Sequence, residues 1–344
     1  MLGATLGGKY LLLRLLGAGG MGEVYEARNQ NTGRRVAVKV LLPDMARDHA
    51  VVERFLREAR TATRIHHPNV VDILDLDVDA SDGTPFIVLE YLLGESLESW
   101  LAAQPGQRMS AGEAMAIPAP VLSAMAEAHR LRIVLRDLKP GTIFLTRGAD
   151  GRFVPKVIDF GIARVEGSHP GERFRTQTGV AIGTPAYMSP EQAAGEADVD
   201  AQTDVWALGV MLYEMITGRL PYEAPNVNLL IGKILYESPT PITAFDRTLS
   251  PDVVDLIERA VCRDRAARFP SAVEMLEAAA ACDWREGATT VMDRADEATR
   301  PAMDVATRPL LDGPTRLAMP VVPRAISAPP PAPQVVASSP SLAG

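Results

Sequence analysis

The sequence predicts an α+β protein that is large enough for two packed lobes and a tail. Its 344 residues exceed the size of one small domain. Short apolar runs separated by turn residues fill residues 10–41, which is typical of strands. Helical spacing of apolar residues is found at residues 44–64 and 111–130. From about Gly287 the periodicity stops and proline, alanine, serine and threonine prevail, so we expect a disordered tail there.

The composition argues against several classes of function. A net charge of −8 provides no basic surface for nucleic acid. The sequence has no secretory-signal pattern and no run of about 18 apolar residues, so we expect no membrane span in this chain. The two cysteines, Cys262 and Cys282, are too isolated for a disulfide framework and favour buried thiols in a reducing compartment. We therefore expect a cytoplasmic protein.

Three glycines follow the first predicted strand, at Gly17, Gly19 and Gly22. This Gly-x-Gly-x-x-Gly spacing is weak evidence alone, because dinucleotide-binding folds also use it. In those folds the glycines open a helix. Here a second strand, a turn at residues 29–33 and the strand Arg-Val-Ala-Val-Lys-Val-Leu follow instead. This order argues against the alternative of a dinucleotide-dependent enzyme.

A helix is predicted over residues 44–64. Adjacent histidines, His66 and His67, end it, but no further ligands lie at a spacing useful for a metal site. The apolar face of the helix is formed by Val51, Val52, Phe55, Leu56 and Ala59.

The helix predicted over residues 111–130 contains two prolines, Pro118 and Pro120. Each removes a backbone donor and clashes with the preceding turn, which costs about 3 kcal/mol inside a straight helix. We therefore predict a kink or a break at these prolines.

The chain is organised around residues 134–161, which contain Val-Leu-Arg-Asp-Leu-Lys-Pro-Gly-Thr-Ile-Phe-Leu and end in Val-Ile-Asp-Phe-Gly. Gly-Thr-Pro-Ala-Tyr-Met-Ser-Pro-Glu follows at residues 183–191, Asp-Val-Trp-Ala-Leu-Gly at 204–209 and Arg-Asp-Arg-Ala-Ala-Arg-Phe at 263–269. Together with the glycines and the Val-Ala-Val-Lys strand, these motifs stand in the order found in protein kinases. Over residues 10–284 the chain resembles the bacterial Ser/Thr protein kinases of the eukaryotic-like, Hanks-type family.

The resemblance implies a two-lobed protein kinase fold. The small lobe would be a mostly antiparallel β sheet with one key helix, and the larger lobe would be mostly helical. On this basis we expect an N-terminal extension at residues 1–9, the small lobe at 10–92, the large lobe at 93–284 and the tail at 285–344.

The resemblance also implies transfer of the γ-phosphate of ATP to Ser or Thr hydroxyls of protein substrates, with Mg²⁺, or Mn²⁺ in its place. Asp137 would orient the acceptor hydroxyl and take its proton, and Lys139 would contact the γ-phosphate. Lys139 together with Thr184 indicates Ser or Thr acceptors rather than Tyr. Asp159 would bind the magnesium ion.

The implied ATP site includes a lysine, Lys39, that neutralises the α- and β-phosphates and is held by Glu58. Leu89 would gate the back pocket, and the backbone of Glu90 and Leu92 would bind the adenine. The complete set implied for ATP is Leu16, Gly17, Gly19, Gly22, Val24, Ala37, Lys39, Glu58, Glu90, Leu92 and Phe144.

Residues 162–188 resemble an activation segment, in which Thr176 and Thr178 would be phosphorylated, in trans between two copies of the chain. Arg136 would bind the added phosphate. Asp204 would belong to the buried helix on which the large lobe is built. Finally, Glu191 would pair with Arg268.

Two positions of the central stretch depart from the family. Leu135 replaces a histidine, which keeps an apolar volume. Thr142 replaces the asparagine that binds the second magnesium ion, and its shorter hydroxyl side chain predicts a weakened second metal site. Arg132 stands where the family has glycine, and with Pro118 and Pro120 it is expected to crowd this loop. The alternative function is therefore a pseudokinase, a nucleotide-binding signalling scaffold with weak or no transfer.

The tail carries a Thr-Arg pair every eight residues, at Thr299, Thr307 and Thr315. One interpretation is a disordered linker of biased composition. The other is a set of phosphorylation sites that dock a phosphothreonine-binding partner. The sequence leaves both open.

Overall fold

Two β sheets frame the part of the chain that the structure describes, which in this computed structural model comprises residues 1–147, 153–159 and 185–282. The strands of the first sheet are β1 Thr5–Leu6, β2 Tyr10–Ala18, β3 Gly22–Asn29, β4 Arg35–Leu41, β5 Ile73–Val78 and β6 Pro85–Glu90. They lie in the order β1-β2-β3-β4-β6-β5, and every neighbouring pair is antiparallel. The second sheet consists of β7 Gly94–Ser96, β8 Ile143–Arg147 and β9 Phe153–Val157, also antiparallel.

The described helices lie mostly after the first sheet. They are α1 Pro43–Ala46, α2 His49–Ala62, α3 Leu97–Ala103, α4 Ala111–Ala116, α5 Pro118–Arg130, α6 Pro190–Ala194, α7 Gln202–Thr217, α8 Val227–Tyr236, α9 Pro251–Ala260 and α10 Ala272–Ala281. A Ser, Asp or Asn side chain caps the amino terminus of seven of them, at Asp48, Ser96, Ser110, Ser189, Asn226, Ser250 and Ser271. Across the described ranges, no helix reaches the length and apolarity that crossing a lipid bilayer requires. The predicted α+β class is confirmed.

The hairpin of β3 and β4 forms because its turn residues suit it. The Asn29 side chain accepts backbone hydrogen bonds from Asn31 and Thr32, at 3.0 and 3.1 Å. Gly33 then adopts a φ of +72°, which glycine tolerates without a Cβ clash. At the other edge of the sheet β1 pairs with β2, so part of the expected extension at residues 1–9 is a strand of the sheet.

The single helix predicted over residues 44–64 is wrong, because the structure divides it into α1 and α2. Asp48 lies between them in an extended conformation and its side chain accepts a hydrogen bond from the backbone of Ala50. An aspartate in this position favours a new helix start over continuation. The apolar face of α2 follows the prediction in part, since Phe55, Leu56 and Ala59 are buried.

The break predicted at Pro118 and Pro120 is confirmed, because α4 ends at Ala116 and α5 begins at Pro118. At the first position of a helix, proline has no intrahelical partner to lose and its fixed φ suits the helix. The prolines therefore start α5 rather than interrupt it. They lie at the opposite end of α5 from the loop that follows Arg130, about 18 Å along the helix axis, so the expected crowding of that loop by the prolines is wrong.

Helix α7 forms the centre of the large lobe. Fourteen of its sixteen residues are buried, including Trp206 at 0% exposure. At Gly209 it approaches α9 so closely that an added Cβ would lie 2.6 Å from the Cβ of Ala260. The predicted buried helix at Asp204 is confirmed.

Main-chain hydrogen bonds join β9 to residues 69–71, which precede β5. The amide of Val71 donates to the carbonyl of Val157 at 3.0 Å, and that of Val157 donates to the carbonyl of Asn69 at 2.8 Å. The Asn69 side chain donates to Pro155 at 2.8 Å. The connection between α2 and the first sheet is thereby fixed to the second sheet.

The His67 side chain holds the same connection in place. Its Nδ1 accepts from the backbone of Asn69 at 3.2 Å, so the proton lies on Nε2, which donates to Ser123 Oγ at 3.1 Å. Burial lowers the pKa of His67, although the nearby Glu127 opposes this. A second proton on Nδ1 would face the Asn69 donor, and we therefore expect protonation to destabilise the fold.

We expect His67→Gln to reduce the loss of stability on acidification between pH 7.5 and 5.5. Because the folded pKa of His67 lies below its unfolded value of about 6.5, its neutral form stabilises the protein above that pH and this stabilisation is lost as the pH falls through the folded pKa. Urea unfolding midpoints across the pH range measure the effect. His49, whose side chain is 87% exposed, supplies the control His49→Gln, which should behave as wild type. Equal pH slopes in all three proteins would contradict the prediction.

Candidate active site

The glycine turn between β2 and β3 closes one side of the site. Gly17 pairs with Val24 across the hairpin, and the Gly19 amide donates to the Gly22 carbonyl at 2.8 Å. A Cβ on Gly22 would collide with the carbonyl oxygen of Val40, so the packing of β3 on β4 requires glycine there. At Gly17 an added Cβ would meet no described atom within 4 Å. The fold itself therefore does not require glycine at position 17, which leaves room for a ligand to approach the backbone.

Lys39 is positioned on β4, between its register partners Val24 and Ile87. Its Nζ lies 3.1 Å from Asp159 Oδ2, and the lysine side chain is only 17% exposed. Among ion pairs between described residues, Lys39 pairs with Asp159 and not with Glu58, so the expected Lys39–Glu58 pair is not formed in this structure. Asp159 lies two residues beyond the end of β9, which is bonded to residues 69–71, and this anchoring helps to place Asp159 within reach of Lys39. Glu58 lies half-buried on α2.

Apolar side chains implied for the adenine lie on the strands around Lys39. Ala37 and Leu89 are buried register partners on β4 and β6, while Val24 and Leu92 are partly buried against the same core. Leu16, near the end of β2, is 42% exposed. Phe144 lies half-buried on β8 of the second sheet. These positions provide an apolar boundary from both sheets.

The backbone of Glu90 is only partly available to a ligand. Its amide donates to the carbonyl of Asp72 at 2.9 Å. A contact from Glu90 to adenine would therefore use its carbonyl oxygen.

The carboxylate of Asp204 organises the loop that carries Asp137. It is 1% exposed, and it accepts from the amide of Leu135 at 2.9 Å and from that of Arg136 at 2.8 Å. His129 Nε2 lies 2.9 Å from the same carboxylate. With these contacts Arg136 adopts a φ of +62°, a conformation that an arginine enters only when its surroundings hold it there.

The loop presents Asp137 and Lys139 side by side. Lys139 Nζ lies 3.0 Å from Asp137 Oδ2, and the two side chains are 26% and 34% exposed. Leu135, the residue that replaces the family histidine, is buried at 2% exposure. A carboxylate and an ammonium group are thus held together at an accessible position next to a buried support.

The Thr142 side chain forms hydrogen bonds within its own loop. Its hydroxyl accepts from the Lys139 amide at 3.1 Å and donates to the Lys139 carbonyl at 2.9 Å, and the residue is 4% exposed. The Thr142 carbonyl in turn accepts from the amide of Ile158 at 3.0 Å, next to Asp159. The side chain therefore stabilises the turn, and its hydroxyl proton and one of its two lone pairs are already committed.

The two implied metal ligands differ in how well they fit a cation. Asp159 Oδ1 is buried and has no hydrogen-bond partner among the described residues, as expected for an oxygen that a cation would occupy. Thr142 points its hydroxyl back at Lys139. The residues present fit a cation at Asp159, and the engagement of the Thr142 hydroxyl by Lys139 is in line with the expected weakening of a second site.

Arg132 occupies the position where the family has glycine, with a φ of +60°. This left-handed conformation costs a non-glycine residue about 1–2 kcal/mol. The conformation thus explains the family's glycine and identifies a local strain in this chain, directly after α5.

The predicted ion pair between Glu191 and Arg268 is confirmed. The guanidinium donates to both carboxylate oxygens, at 2.8 and 3.2 Å, and the side chains are 1% and 0% exposed. It also donates to the carbonyls of Gln202 and Cys262, both at 3.1 Å. Removing one partner of such a buried pair costs about 3–5 kcal/mol, because the other charge is left without compensation.

Several residues expected to be functional lie outside the described ranges, namely Thr176, Thr178 and Thr184, as well as the tail with Thr299, Thr307 and Thr315.

Arg136, the expected phosphate ligand, donates through its guanidinium to the carbonyl of Val199 at 3.2 Å. Its own carbonyl accepts from Gln192 at 2.8 Å.

Sequence reasoning missed His129 and Gln192, which support the loop from α5 and α6. No local pattern distinguishes them from surface polar residues. Their roles depend on contacts 75 and 56 residues away in the chain.

A second missed contact joins the end of the segment before α6 to α7. The Tyr187 hydroxyl donates to Glu214 at 2.5 Å. Burial raises the pKa of both groups, so Tyr187 keeps its proton and remains the donor. This bond holds residues 185–189 against the central helix.

Comparisons with known proteins agree with this geometry. A family model described as protein kinase domain matches residues 10–279. Serine/threonine-protein kinase PksC of Streptomyces coelicolor is 39% identical over 276 residues, which cover 79% of this chain and 48% of PksC. Serine/threonine-protein kinase pkn3 of Myxococcus xanthus is 38% identical over 278 residues, 80% of this chain and 50% of pkn3. This chain thus spans about half the length of these curated relatives.

Among solved structures, the kinase domain of Mycobacterium tuberculosis PknI superposes with a TM-score of 0.63 at 29% identity. The superposition covers 81% of this chain and 98% of that domain. The match confirms the predicted two-lobed fold.

We expect Thr142→Val to lower the free energy of unfolding by about 1–3 kcal/mol, because it removes both side-chain bonds to Lys139 and leaves the buried Lys139 amide without its acceptor. Thr142→Ser retains the hydroxyl and should lose much less. Urea denaturation of the two variants measures the difference. Equal stability of the Val and Ser variants would show that the hydroxyl does not support the turn.

Proposed function

The chain belongs to the protein kinase family, and from that premise we propose that it transfers the γ-phosphate of ATP to Ser and Thr hydroxyls of proteins. One observation carries the proposal. Two pairs of charged side chains, Lys39 with Asp159 at 3.1 Å and Asp137 with Lys139 at 3.0 Å, lie on elements that the fold ties together. Phosphoryl transfer needs this kind of positioning and charge neutralisation.

Each charged group has a distinct role in the proposed reaction. The acceptor oxygen attacks the γ-phosphorus, the bond to the β-phosphate oxygen breaks, and the hydroxyl proton passes to the Asp137 carboxylate. Lys139 balances the charge of the phosphoryl group in transfer, and Lys39 that of the α- and β-phosphates. The partial exposure of Asp137 and Lys139 keeps both within reach of a protein substrate.

A divalent cation, Mg²⁺ or Mn²⁺, would supply further charge neutralisation on the phosphates. The buried Asp159 Oδ1 supports this residue as its ligand. The committed hydroxyl of Thr142 disfavours a second cation beside it. We therefore include a single metal site in the proposal.

Regulation and partners rest on the sequence resemblance. Thr176 and Thr178 would be phosphorylated in trans between two copies, Arg136 would bind the phosphate, and Thr184 would help select Ser or Thr acceptors. The Thr-Arg repeat of the tail, which lies outside the resemblance, would once phosphorylated dock a phosphothreonine-binding partner in a signalling role. The proposal also includes the domain limits, with the small lobe at residues 10–92, the large lobe at 93–284 and the tail at 285–344. It further includes a cytoplasmic location, where ATP is available and the two cysteines would stay reduced.

The pseudokinase alternative gains no support from the geometry. Leu135 fills a buried position and Thr142 braces the loop, so neither departure removes a group that the proposed transfer uses.

We expect Asp137→Asn to slow phosphate transfer about 10²–10⁴-fold, because the amide cannot accept the hydroxyl proton. The measurement is transfer from labelled ATP to a general protein acceptor by the full chain, with Mg²⁺ and separately with Mn²⁺. Asp255→Asn changes the charge equally at an exposed position of α9 and should leave the rate unchanged. No transfer by the parent chain, or full transfer by the Asp137 variant, would overturn the proposal.

We further expect one Mn²⁺ ion per chain in the presence of a non-hydrolysable ATP analogue, and two ions in Thr142→Asn, whose longer amide restores a second oxygen ligand. Electron paramagnetic resonance of Mn²⁺ counts bound ions without depending on transfer. Thr142→Ser serves as the control and should bind one ion. Two ions in the wild-type chain would contradict the single-site proposal.

A further inference from the structure

Lys156 is one of only five lysines in the chain, and it is well shielded from solvent. It lies on β9, and its Nζ is 2.5 Å from Glu90 Oε1 and 3.3 Å from the carbonyl of Val70. The two side chains of the ion pair are 14% and 20% exposed. Because β9 belongs to the second sheet and Glu90 ends β6 of the first, this pair joins the two sheets.

Glu90 is also bonded to the backbone of Asp72. Its Oε1 also accepts from the amide of Asp72 at 3.0 Å, and its amide donates to the carbonyl of Asp72 at 2.9 Å. Asp72 directly precedes β5. The lysine therefore binds a carboxylate that is already fixed to the backbone of the small-lobe sheet.

Lys156, the other member of the ion pair, lies opposite Phe144 in the second sheet. Lys156 and Phe144 are direct register partners in the antiparallel pair of β8 and β9. Directly opposite residues of such a pair place their side chains on the same face of the sheet. The ammonium group therefore lies on the face that carries Phe144, the side chain proposed to lie beneath the adenine.

The sheets do not depend on this pair for their connection. Main-chain bonds between residues 69–71 and β9 already join them, together with the Asn69 side chain. Burying a lysine and a glutamate costs desolvation energy that an apolar pair of the same size would avoid. We therefore interpret the Lys156–Glu90 ion pair as fixing the relative position of β9 and the end of β6, rather than as adding to the stability of the protein.

We propose that Lys156 is a positioning residue for the nucleotide: by its ion pair with Glu90 it fixes the connector after β6 over the Phe144 face, and so sets the gap into which the adenine ring fits. This inference rests on the proposed function as an ATP-dependent enzyme. The adenine contacts expected from Glu90 and Leu92 are made by the backbone, so side-chain variants of Glu90 leave the chemistry of those groups unchanged. What such variants change is where the backbone lies.

The test measures binding of a fluorescent ATP analogue to the full chain. We expect Lys156→Met and Glu90→Gln each to weaken binding about tenfold, and the double variant to weaken it no further, because both remove the same interaction. Lys156→Arg keeps the charge and should restore most of the affinity. The ATP KM should rise by a similar factor, while kcat changes less than about twofold.

Lys233→Met is the matched control, since Lys233 pairs with Glu237 at 3.9 Å on an exposed face of α8. It should bind the analogue as wild type does. Unchanged affinity in Lys156→Met, an equal loss in Lys233→Met, or additive losses in the double variant would each overturn the inference. If Lys156→Met does not fold, Glu90→Gln and Lys156→Arg decide the matter by the same comparison.

Binding is measured without phosphate transfer, so the two proposals fail separately. A chain that binds the analogue with the expected pattern but transfers no phosphate would contradict the proposed function alone. Transfer with no effect of Lys156 on binding would contradict this inference alone.

Discussion

The burial of the Asp204 carboxylate is the constraint on which the candidate site depends. A carboxylate with 1% exposure must be compensated, and here the donors are the amides of Leu135 and Arg136 and the ring of His129. Satisfying Asp204 therefore fixes the start of the loop, including the strained φ of Arg136. Helix α7 cannot shift to relieve this, because it is packed on all sides and approaches α9 at Gly209 without room for a Cβ. Asp137 comes directly after Arg136, so its position is set by the contacts that Asp204 on the buried helix α7 makes with the loop.

Thr142 shows how one substitution can separate two properties of a loop. A residue here can brace the turn, ligate a cation, or do both. The hydroxyl of Thr142 reaches the amide and the carbonyl of Lys139, which keeps the brace. Its proton and one lone pair are engaged by Lys139, which is why the metal proposal rests on Asp159 alone. In that proposal the departure from the family weakens cation binding without loosening the loop that holds Asp137 and Lys139.

Local rules predicted what depends on local chemistry. The strand order around the glycines, the break at Pro118 and the buried helix at Asp204 all follow from turn residues, proline geometry and apolar spacing. The Glu191–Arg268 pair could be predicted only through family resemblance, since 77 residues separate its partners. The contact of Lys39 with Asp159 rather than with Glu58 joins positions 120 residues apart, which no local pattern reveals. The helix predicted over residues 44–64 is a different case, because the cap at Asp48 that divides it is a local signal that the apolar spacing outweighed.

The main-chain bonds and the ion pair between the two sheets constrain different parts of the structure. Main-chain bonds at residues 69–71 set the distance of β9 from the first sheet, whereas a tilt of the connector would begin at Glu90. An ion pair at the last residue of β6 acts where that tilt would occur. A charged pair is suited to this because its attraction depends steeply on geometry inside a shielded environment, whereas apolar contacts tolerate sliding. The desolvation cost of burying Lys156 and Glu90 then accompanies a defined gap beside Phe144, and a defined gap is what close packing against both faces of the adenine ring requires.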